Sequence, residues 1–468
     1  MSKDVKKARK SRKLFRAIGG IDDRMILDAD APRRKKGKAG GYGWFYGLAA
    51  CIVAAVSVGV VCRVSMSGSF AQSSSSSGEP SYSSIPSSGG QSEASQSSEA
   101  PPAENLPAIT PGQTYEFGGG GTGGSGNGIV YSTHMLMDAS DLKNANPWTE
   151  DAELTTLPVF HNVYASTTRY SPDVLEKYNL PLLEGKRASA EEMEALARSF
   201  AERFGVTVES VTVDPTEKYL AEVRKKLESA GQTLPEEETL PTQVTLTCSG
   251  DITITADTQL EVSVQFNSPD PLPEGYQFSY ESSYEEMTAA GEYLLKEYEG
   301  FLHMEKPVLD VRLRDRDIHG EQMIACYVYE GAGALTEQIL NYHFNTVYFS
   351  PAENGGLKSI TFHQFDLSEK LGDYPIYTPE EARQELEKRL ASTSIPEMFT
   401  DGGRIEGIEL VYGSGEITLM PYYNFVIEIT ASEWEEPFVR EAANNGYPVK
   451  MYGIFSIPAV REEYLTTP

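Results

Sequence analysis

The sequence is poor in the residues that build metal sites, disulfide frameworks and local catalytic motifs. Among 468 residues it has four cysteines, six histidines and three tryptophans. No histidine lies in an H-E-x-x-H, H-x-H or C-x-x-C pattern, which are common local signatures of metal sites. A G-x-S-x-G hydrolase elbow and a phosphate-binding G-x-x-x-x-G-K-[ST] loop are also lacking. We therefore expect no metal, no cofactor and no enzymatic activity.

Cysteine is too scarce for a disulfide-stapled scaffold, so the folded domains have to rely on hydrophobic cores. Cys51 and Cys62 lie in an apolar segment, whereas Cys248 and Cys326 lie in β-like contexts. The sequence leaves open a disulfide between Cys248 and Cys326 or two buried free thiols, and it favours the thiols.

Charge is distributed very unevenly along the chain. Residues 1–42 carry 14 Lys/Arg and 5 Asp/Glu, a net charge of +9. The net charge of the whole chain is −28, so residues 43–468 carry −37. An acidic surface repels phosphates, which argues against nucleic-acid binding by residues 43–468. The same surface is compatible with cations, cationic peptides or simple solubility.

One uncharged stretch, 44–62 (WFYGLAACIVAAVSVGVVC), is long enough to span a bilayer as a helix. A basic run, RRKK at 33–36 with Lys38, precedes it, and the positive-inside rule places the N-terminus in the cytoplasm. A cleaved signal peptide and a lipobox at Leu48–Cys51 are the alternatives, and both fit the flanking sequence less well. We predict a single-pass cell-membrane protein with most of the chain extracytoplasmic.

The N-terminal segment contains apolar residues at helical spacing, flanked by basic residues. The stretch is predicted to lie on anionic lipid or to dock a cytoplasmic partner. Its candidate partner-binding residues are Leu14, Phe15, Ile18, Ile21 and Met25.

The segment LFRAIGGIDDRMILDADAP, followed by a basic run and one membrane helix, resembles the N-terminus of a group of bacterial membrane proteins. These proteins are often associated with extracytoplasmic-function sigma factors and are treated as anti-sigma-like. The resemblance implies a cytoplasmic sigma factor or a membrane signalling protein as a partner.

Composition and periodicity divide the chain further. Ser/Gly-rich residues after the apolar stretch have too few apolar side chains to fold and are predicted to be a disordered linker. Globular patterning begins near residue 131. The predicted segments are a basic cytoplasmic segment (1–42), a transmembrane helix (43–65), a linker (66–130) and three extracytoplasmic α+β modules (131–275, 276–370 and 371–468).

Each module is predicted to be a helix followed by antiparallel strands. The strongest helix signals are Ala190–Phe204, closed by Gly205, and a capping box at Thr378 and Glu381. Alternating apolar residues predict strands such as Val308–Leu313, Asn341–Phe349 and Tyr422–Ile429. The fold class is therefore α+β, with tandem modules of a helix packed on an antiparallel sheet outside one transmembrane helix.

The last module contains YPIYTPEEARQELEKRL, IEGIELVYGSGEITLMPYYNFVIEI and YGIFSIPAV. In these elements it resembles the PepSY-like modules of YycH/YycI-type regulators. The resemblance implies an extracytoplasmic interaction or regulatory domain rather than a catalyst.

Three local patterns remain. Tyr422 and Tyr423 belong to a tyrosine cluster that is interpreted either as core packing or as a recognition surface for a partner. The charged stretch Asp310–Asp317 is predicted to be a solvated strand or loop face, with ligand recognition as the alternative. His343 and His363 are predicted to be structural, with a pH-sensing pair as the alternative.

Together these features predict a membrane-anchored extracytoplasmic regulator or sensor that binds a protein, peptide or cell-envelope ligand, with anti-sigma-like signalling as one mode. An envelope hydrolase and a passive wall-spanning adhesin or spacer are the alternatives.

Overall fold

The structure is a computed structural model. It describes residues 106–111, 123–125, 129–142, 144–166, 175, 182–229, 233–234, 236–316, 319, 322–353, 355–390, 405–414, 417–431 and 435–466. The predicted cytoplasmic segment and membrane helix lie outside these ranges, as does most of the predicted linker. Within the ranges, no helix is both long enough and apolar enough to cross a membrane.

Two compact units divide the chain. The described part of the smaller unit lies within Thr216–Leu240, and the larger unit contains Gly123–Pro215 and Pro241–Pro468. In the smaller unit, helix α2 (Glu217–Ser229) has two buried positions, Leu220 and Val223. All the strands of the described residues lie in the larger unit.

Fifteen strands are found among the described residues. They are β1 (Gly123–Ser125), β2 (Ile129–Leu136), β3 (Thr156–His161), β4 (Val208–Asp214), β5 (Gln243–Cys248), β6 (Ile252–Asp257), β7 (Val262–Asp270), β8 (Pro307–Arg316), β9 (Gln322–Glu330), β10 (Asn345–Pro351), β11 (Leu357–Gln364), β12 (Lys370–Pro375), β13 (Ile405–Ser414), β14 (Thr418–Ile429) and β15 (Lys450–Pro458). The other helices are α1 (Ala190–Phe204), α3 (Tyr284–Glu297), α4 (Glu299–Leu302), α5 (Leu335–Phe344), α6 (Pro379–Leu390) and α7 (Glu436–Asn444).

Eight strands form one antiparallel sheet in the order β4-β5-β6-β7-β11-β10-β9-β8. Helices α1 and α3 pack on one face, where alternate strand residues are apolar and join the helices in the largest hydrophobic core. The buried positions of α1 are Met193, Ala197, Phe200 and Ala201, which recur at the spacing of one helix face. Burial of the alternating apolar residues of the strands fixes the register of each strand, because a shift by one residue would turn them to the other face.

The other face of the eight-stranded sheet is rich in hydroxyl groups. Thr245, Thr255, Ser263 and Thr361 are direct neighbours across four adjacent strands. The hydroxyl oxygens of Ser263 and Thr361 lie 3.0 Å apart, within hydrogen-bonding distance. The row continues through tyrosines to Asp310 on the edge strand β8. One face of this sheet is therefore apolar and the other polar.

The second sheet has seven strands in the order β1-β2-β15-β14-β3-β12, and β13 pairs with β14. Ala382 and Leu386 of α6 and Ile339 and Phe344 of α5 are buried in its core. The strand β15 lies between β2 and β14, so the second strand of the chain pairs with the last.

The predicted α+β class with antiparallel sheets is confirmed. Strand pairing nevertheless crosses the predicted segment boundaries, since the eight-stranded sheet includes strands on both sides of residues 275–276. Likewise, β2 and β3 pair with strands after residue 370. The predicted strand Asn341–Phe349 is wrong in its first four residues, which end helix α5, because Ile339 and Tyr342 are buried at helical spacing.

Candidate functional site

A concave groove of about 440 Å³ lies along the outer face of helix α3. It is lined by Ala289, Glu292, Tyr293, Lys296 and Glu297 from the helix and by Tyr276 from the preceding connection. The helical residues recur every three or four positions and so share one face. We call this feature the tyrosine groove.

The helix presents this face because its opposite face is fixed in the core. Met287, Ala290 and Leu294 of α3 are fully buried against the eight-stranded sheet. At the start of the helix, the Ser283 side chain accepts a hydrogen bond from the amide of Glu286, and the Glu286 carboxylate accepts one from the amide of Ser283. This capping box sets where the helix begins and therefore which residues face outward.

Tyr276 reaches the groove from a turn. Its backbone amide donates a 3.3 Å hydrogen bond to the carbonyl of Pro273. Gly275 has φ +100°, a conformation that residues with a Cβ rarely adopt. The ring of Tyr276 then lies 4.9 Å from that of Tyr293, with the planes 36° apart. Tyr276 is 40% exposed, so its ring is available to a ligand.

Carboxylates dominate the charge around the groove. Glu292 and Glu297 contribute two negative charges to its lining and Lys296 one positive charge. The pKa of Tyr293 is raised above its ordinary value, mainly by loss of hydration and then by the charges of Glu297 and Asp270. The groove therefore joins aromatic surface to net negative charge.

A second polar cluster connects the two sheets. The guanidinium of Arg312 on β8 forms an ion pair with Asp310 and lies 4.8 Å and 4.4 Å from the ring centroids of Tyr327 and Tyr342. Asp310 is fully buried and accepts a 2.7 Å hydrogen bond from the amide of Ala145. The prediction of a solvated face is wrong for Asp310, because packing of the two sheets at β8 removes it from water. The side chains of residues 314–317 lie outside the described set.

A small cavity of about 100 Å³ adjoins this cluster and is lined in part by Arg312, Asn144 and Glu409. The side-chain amide of Asn144 donates a 2.6 Å hydrogen bond to Glu409, and burial raises the pKa of Glu409. This volume is well below the roughly 300–1,000 Å³ of typical ligand sites. The cluster is suited to joining the sheets rather than to holding a large ligand.

The histidines do not form the pair that was the pH-sensing alternative. His343 lies on α5, and burial lowers its pKa to about 3, so it is neutral at pH 7. His363 on β11 instead lies with its Nδ1 2.6 Å from the carboxylate of Glu261. Nearby, burial and the charge of Glu261 raise the pKa of Asp257 to about 6.

The predicted partner-binding residues fall in two places. Leu14, Phe15, Ile18, Ile21 and Met25 lie outside the described residues. Tyr422 and Tyr423 are 5% and 1% exposed, and the Tyr423 hydroxyl donates a 2.7 Å hydrogen bond to the carbonyl of Tyr377. Core packing is therefore the correct interpretation of these two tyrosines, and an exposed recognition surface there is wrong.

The tyrosine groove was missed in the sequence. Tyr276 follows Pro-Glu-Gly, which is a turn signal. Tyr293 lies three residues before Lys296, where the apolar part of a predicted helix gives way to charged residues. Helical spacing alone places Tyr293 beside Glu297 on one face. Only the contact between Tyr276 and Tyr293, 17 positions apart, needs the folded chain.

Cys248 and Cys326 are free and buried. They lie on β5 and β9, which are separated by β6, β7, β11 and β10. Five strand spacings of ~4.8 Å place these cysteines roughly 24 Å apart, whereas a disulfide needs Cα atoms within about 7 Å. The two-thiol interpretation is confirmed.

Comparison with known proteins gives no relative. No protein-family model matches the chain, and no curated protein or solved structure is significantly similar to it.

Proposed function

We propose that this protein is a membrane-anchored regulator or sensor whose extracytoplasmic region binds a protein or cell-envelope ligand. One observation carries the proposal: two adjacent tyrosine rings line an open groove of about 440 Å³ on a rigid helix face. Ligand sites are commonly concave, mostly preformed and between about 300 and 1,000 Å³. Its lining of Tyr, Glu, Lys and Ala suits recognition by stacking and charge.

The remaining parts of the proposal come from the sequence. In this proposal residues 43–65 are assigned to a single membrane helix and the basic segment 1–42 to the cytoplasm, from the uncharged stretch and the charge asymmetry beside it. The α+β region lies outside, and the PepSY-like resemblance of residues 371–468 supports a regulatory rather than an enzymatic role. The anti-sigma-like N-terminus favours a sigma factor or a membrane signalling protein as the inner partner.

Topology and binding are tested separately. Protease added to intact cells should digest a C-terminal tag and leave an N-terminal tag intact, and protection of the C-terminal tag would contradict the proposed orientation. For binding, the full chain and its Tyr276→Ala/Tyr293→Ala variant are cross-linked in cells and compared. A partner captured by the parent and lost in the variant supports the groove. Identical capture profiles would count against it.

The inner partner is tested with the 14–27 stretch. Replacing Leu14, Ile18 and Met25 by Asp should release a sigma factor or membrane signalling protein that co-purifies with the parent. A spacer would show the same phenotype with and without these substitutions.

A further inference from the structure

We infer that the ligand of the tyrosine groove is a cationic side chain, and that the partner is a protein segment rich in lysine or arginine. The inference rests on the proposed function, because it names the chemistry of the ligand at that same groove. Three features of the groove lead to it: exposed aromatic faces, an excess of carboxylates and limited volume.

The two tyrosine rings of the groove are suited to attract a cation. The Tyr276 and Tyr293 rings are tilted by 36° at a centroid distance of 4.9 Å, and Tyr276 is 40% exposed. The face of an aromatic ring is electronegative and attracts a cation that lies within about 6 Å of its centroid. Elsewhere in this chain arginines already use this contact: Arg461 lies 5.3 Å from the ring centroid of Tyr377.

Charge selects cations over other ligands that stack on tyrosine. Glu292 and Glu297 outnumber Lys296 in the lining, and the negative charge of Asp270 also acts on the Tyr293 hydroxyl. Residues 43–468 carry −37 overall, so the field of the whole surface also steers cations toward it. An acidic peptide would meet repulsion here. A neutral glycan would donate hydroxyl hydrogen bonds to the carboxylates but would gain nothing from the net charge of the groove.

Volume limits how much of a partner can enter. About 440 Å³ accommodates one or two long side chains and not a folded element. Lysine and arginine fit because an apolar stem of three or four methylenes carries the charge. The stem would lie on the tyrosine rings while the charged end meets a carboxylate.

A charge reversal at Lys296 should change the affinity in opposite directions for cationic and acidic ligands. Lys296 lies one helical turn after Glu292 on the same face of the groove, so its positive charge opposes the binding of a cation there. Replacing Lys296 by Glu removes this positive charge and adds a negative one. A cationic ligand should then bind more tightly, whereas a neutral ligand should be unaffected and an acidic ligand should bind less tightly.

The experiment uses the full chain in nanodiscs made of neutral lipid and a fluorescent hexalysine peptide, with hexaglutamate and a neutral oligosaccharide as comparison probes. Anisotropy is measured at 50 mM and 200 mM salt. Hexalysine should bind in a salt-dependent way. Lys296→Glu should lower its Kd about threefold, and Glu292→Lys should raise it by a similar factor. Tyr276→Ala and Tyr293→Ala should each raise it about two- to fivefold.

Matched controls separate groove binding from adsorption to an acidic surface. Arg440→Glu makes the same kind of charge reversal at a 63% exposed position on α7, and Tyr447→Ala removes a tyrosine that is 39% exposed. Neither should change the Kd more than about 1.5-fold, since screening weakens distant exposed charges. Tyr276→Phe keeps the ring and should bind as the parent does, which assigns the contribution of Tyr276 to the ring rather than to the hydroxyl.

The outcomes distinguish this inference from the proposed function. Failure of hexalysine to bind, or binding that ignores every groove substitution, overturns the cationic ligand. Groove-dependent binding of the oligosaccharide or of hexaglutamate would also overturn it while leaving the groove as a ligand site. If mutation of the groove abolishes capture of the in-cell partner but Lys296→Glu has no effect, the groove remains a partner site and the cationic nature of the ligand is rejected.

Discussion

The buried carboxylate of Asp310 accepts a hydrogen bond from the backbone amide of Ala145, 2.7 Å away and 165 positions earlier in the chain. A nearby bond reinforces it, since the Tyr329 hydroxyl donates to the carbonyl of Ala145 at 2.7 Å. One residue of the loop between β2 and β3 is thereby bonded through both backbone groups to the eight-stranded sheet. These contacts hold the two sheets together and leave the Asp310 charge compensated by Arg312.

The first prediction concerns this ion pair. Asp310→Asn should lower the free energy of unfolding by about 3 kcal/mol, because it leaves the guanidinium of Arg312 partly buried without its counter-charge. Urea denaturation of the purified protein measures the change. The exposed pair of Asp373 with Lys370 is the control, and Asp373→Asn should cost less than about 1 kcal/mol.

Removing both partners sharpens this test. Asp310→Asn combined with Arg312→Met eliminates the uncompensated charge, so the double variant should be more stable than Asp310→Asn alone. Equal destabilisation of the single and double variants would show that the ion pair is not what holds this junction.

The second prediction concerns Asp257, whose pKa is raised from 3.8 to about 6 by burial and then by the charge of Glu261. Between these values the folded state binds more protons than the unfolded state, so this group lowers stability as pH rises. Asp257→Asn keeps an oxygen that can accept from the amides of Gln259 and Glu261 and removes the charge. It should stabilise the protein by about 1.5 kcal/mol at pH 5 and about 3 kcal/mol at pH 7.

His343 gives the third prediction, with the opposite sign. Its pKa falls from 6.5 to about 3 because burial disfavours the charged ring. The unfolded state then binds more protons between these values, so stability contributed by the neutral ring is lost as pH falls. The parent should lose about 2 kcal/mol between pH 7 and pH 5 through this group, and His343→Asn should remove that loss. Urea titrations at both pH values measure it, and an unchanged pH slope in the variant would contradict the assignment.

The fourth prediction compares two glycines of strand β13. A Cβ on Gly413 would lie 2.6 Å from the ring of Tyr422, whereas a Cβ on Gly407 would be 3.9 Å from its nearest neighbour, Val426. Gly413→Ala should therefore destabilise by about 1–3 kcal/mol through overpacking. Gly407→Ala should be neutral or stabilising by up to about 1 kcal/mol, because alanine loses less backbone entropy on folding. Thermal unfolding of both variants is the measurement, and equal effects would contradict the packing of Tyr422.

The fifth prediction concerns the thiols. Burial raises the pKa of Cys248 and Cys326, and both are at most 3% exposed. In a Cys51→Ser/Cys62→Ser background, the native protein should not react with a thiol reagent within minutes and should release two thiols after unfolding. A reductant should leave the unfolding midpoint unchanged. Fewer than two thiols after unfolding would indicate a covalent bond.

Local signals in the sequence predicted the elements that are determined locally. The helix Ala190–Phe204 begins and ends as expected because Ser189 and Glu192 form a capping box and Gly205 adopts φ +77°. The predicted capping box of Thr378 and Glu381 is present, with bonds of 2.8 Å and 3.3 Å. Caps involve residues three positions apart, so the sequence displays both partners together.

The arrangement of the strands could not be predicted in the same way. β12 pairs with β3 across more than 200 residues, and no local pattern specifies such a partner. Asp310 shows the same limit for a side chain. Alternating charges typically indicate a solvent-exposed segment. Asp310 is instead buried in contact with Ala145, which is 165 positions earlier in the chain. The tyrosine groove could not be predicted for the same reason, since it depends on a contact between a turn and a helix.

The placement of β15 has a consequence for biosynthesis. β2 ends at residue 136, but the strand that pairs with it begins at residue 450, more than 300 residues later. At ribosomal rates of about 5–20 residues per second, the early edge waits roughly 15–60 s for its partner. A transcript with a premature stop codon would therefore yield polypeptides with two unpaired edges, at β2 and β14, which are templates for aggregation. The codons for β15 thus decide whether β1 and β2 can join β14 in the second sheet.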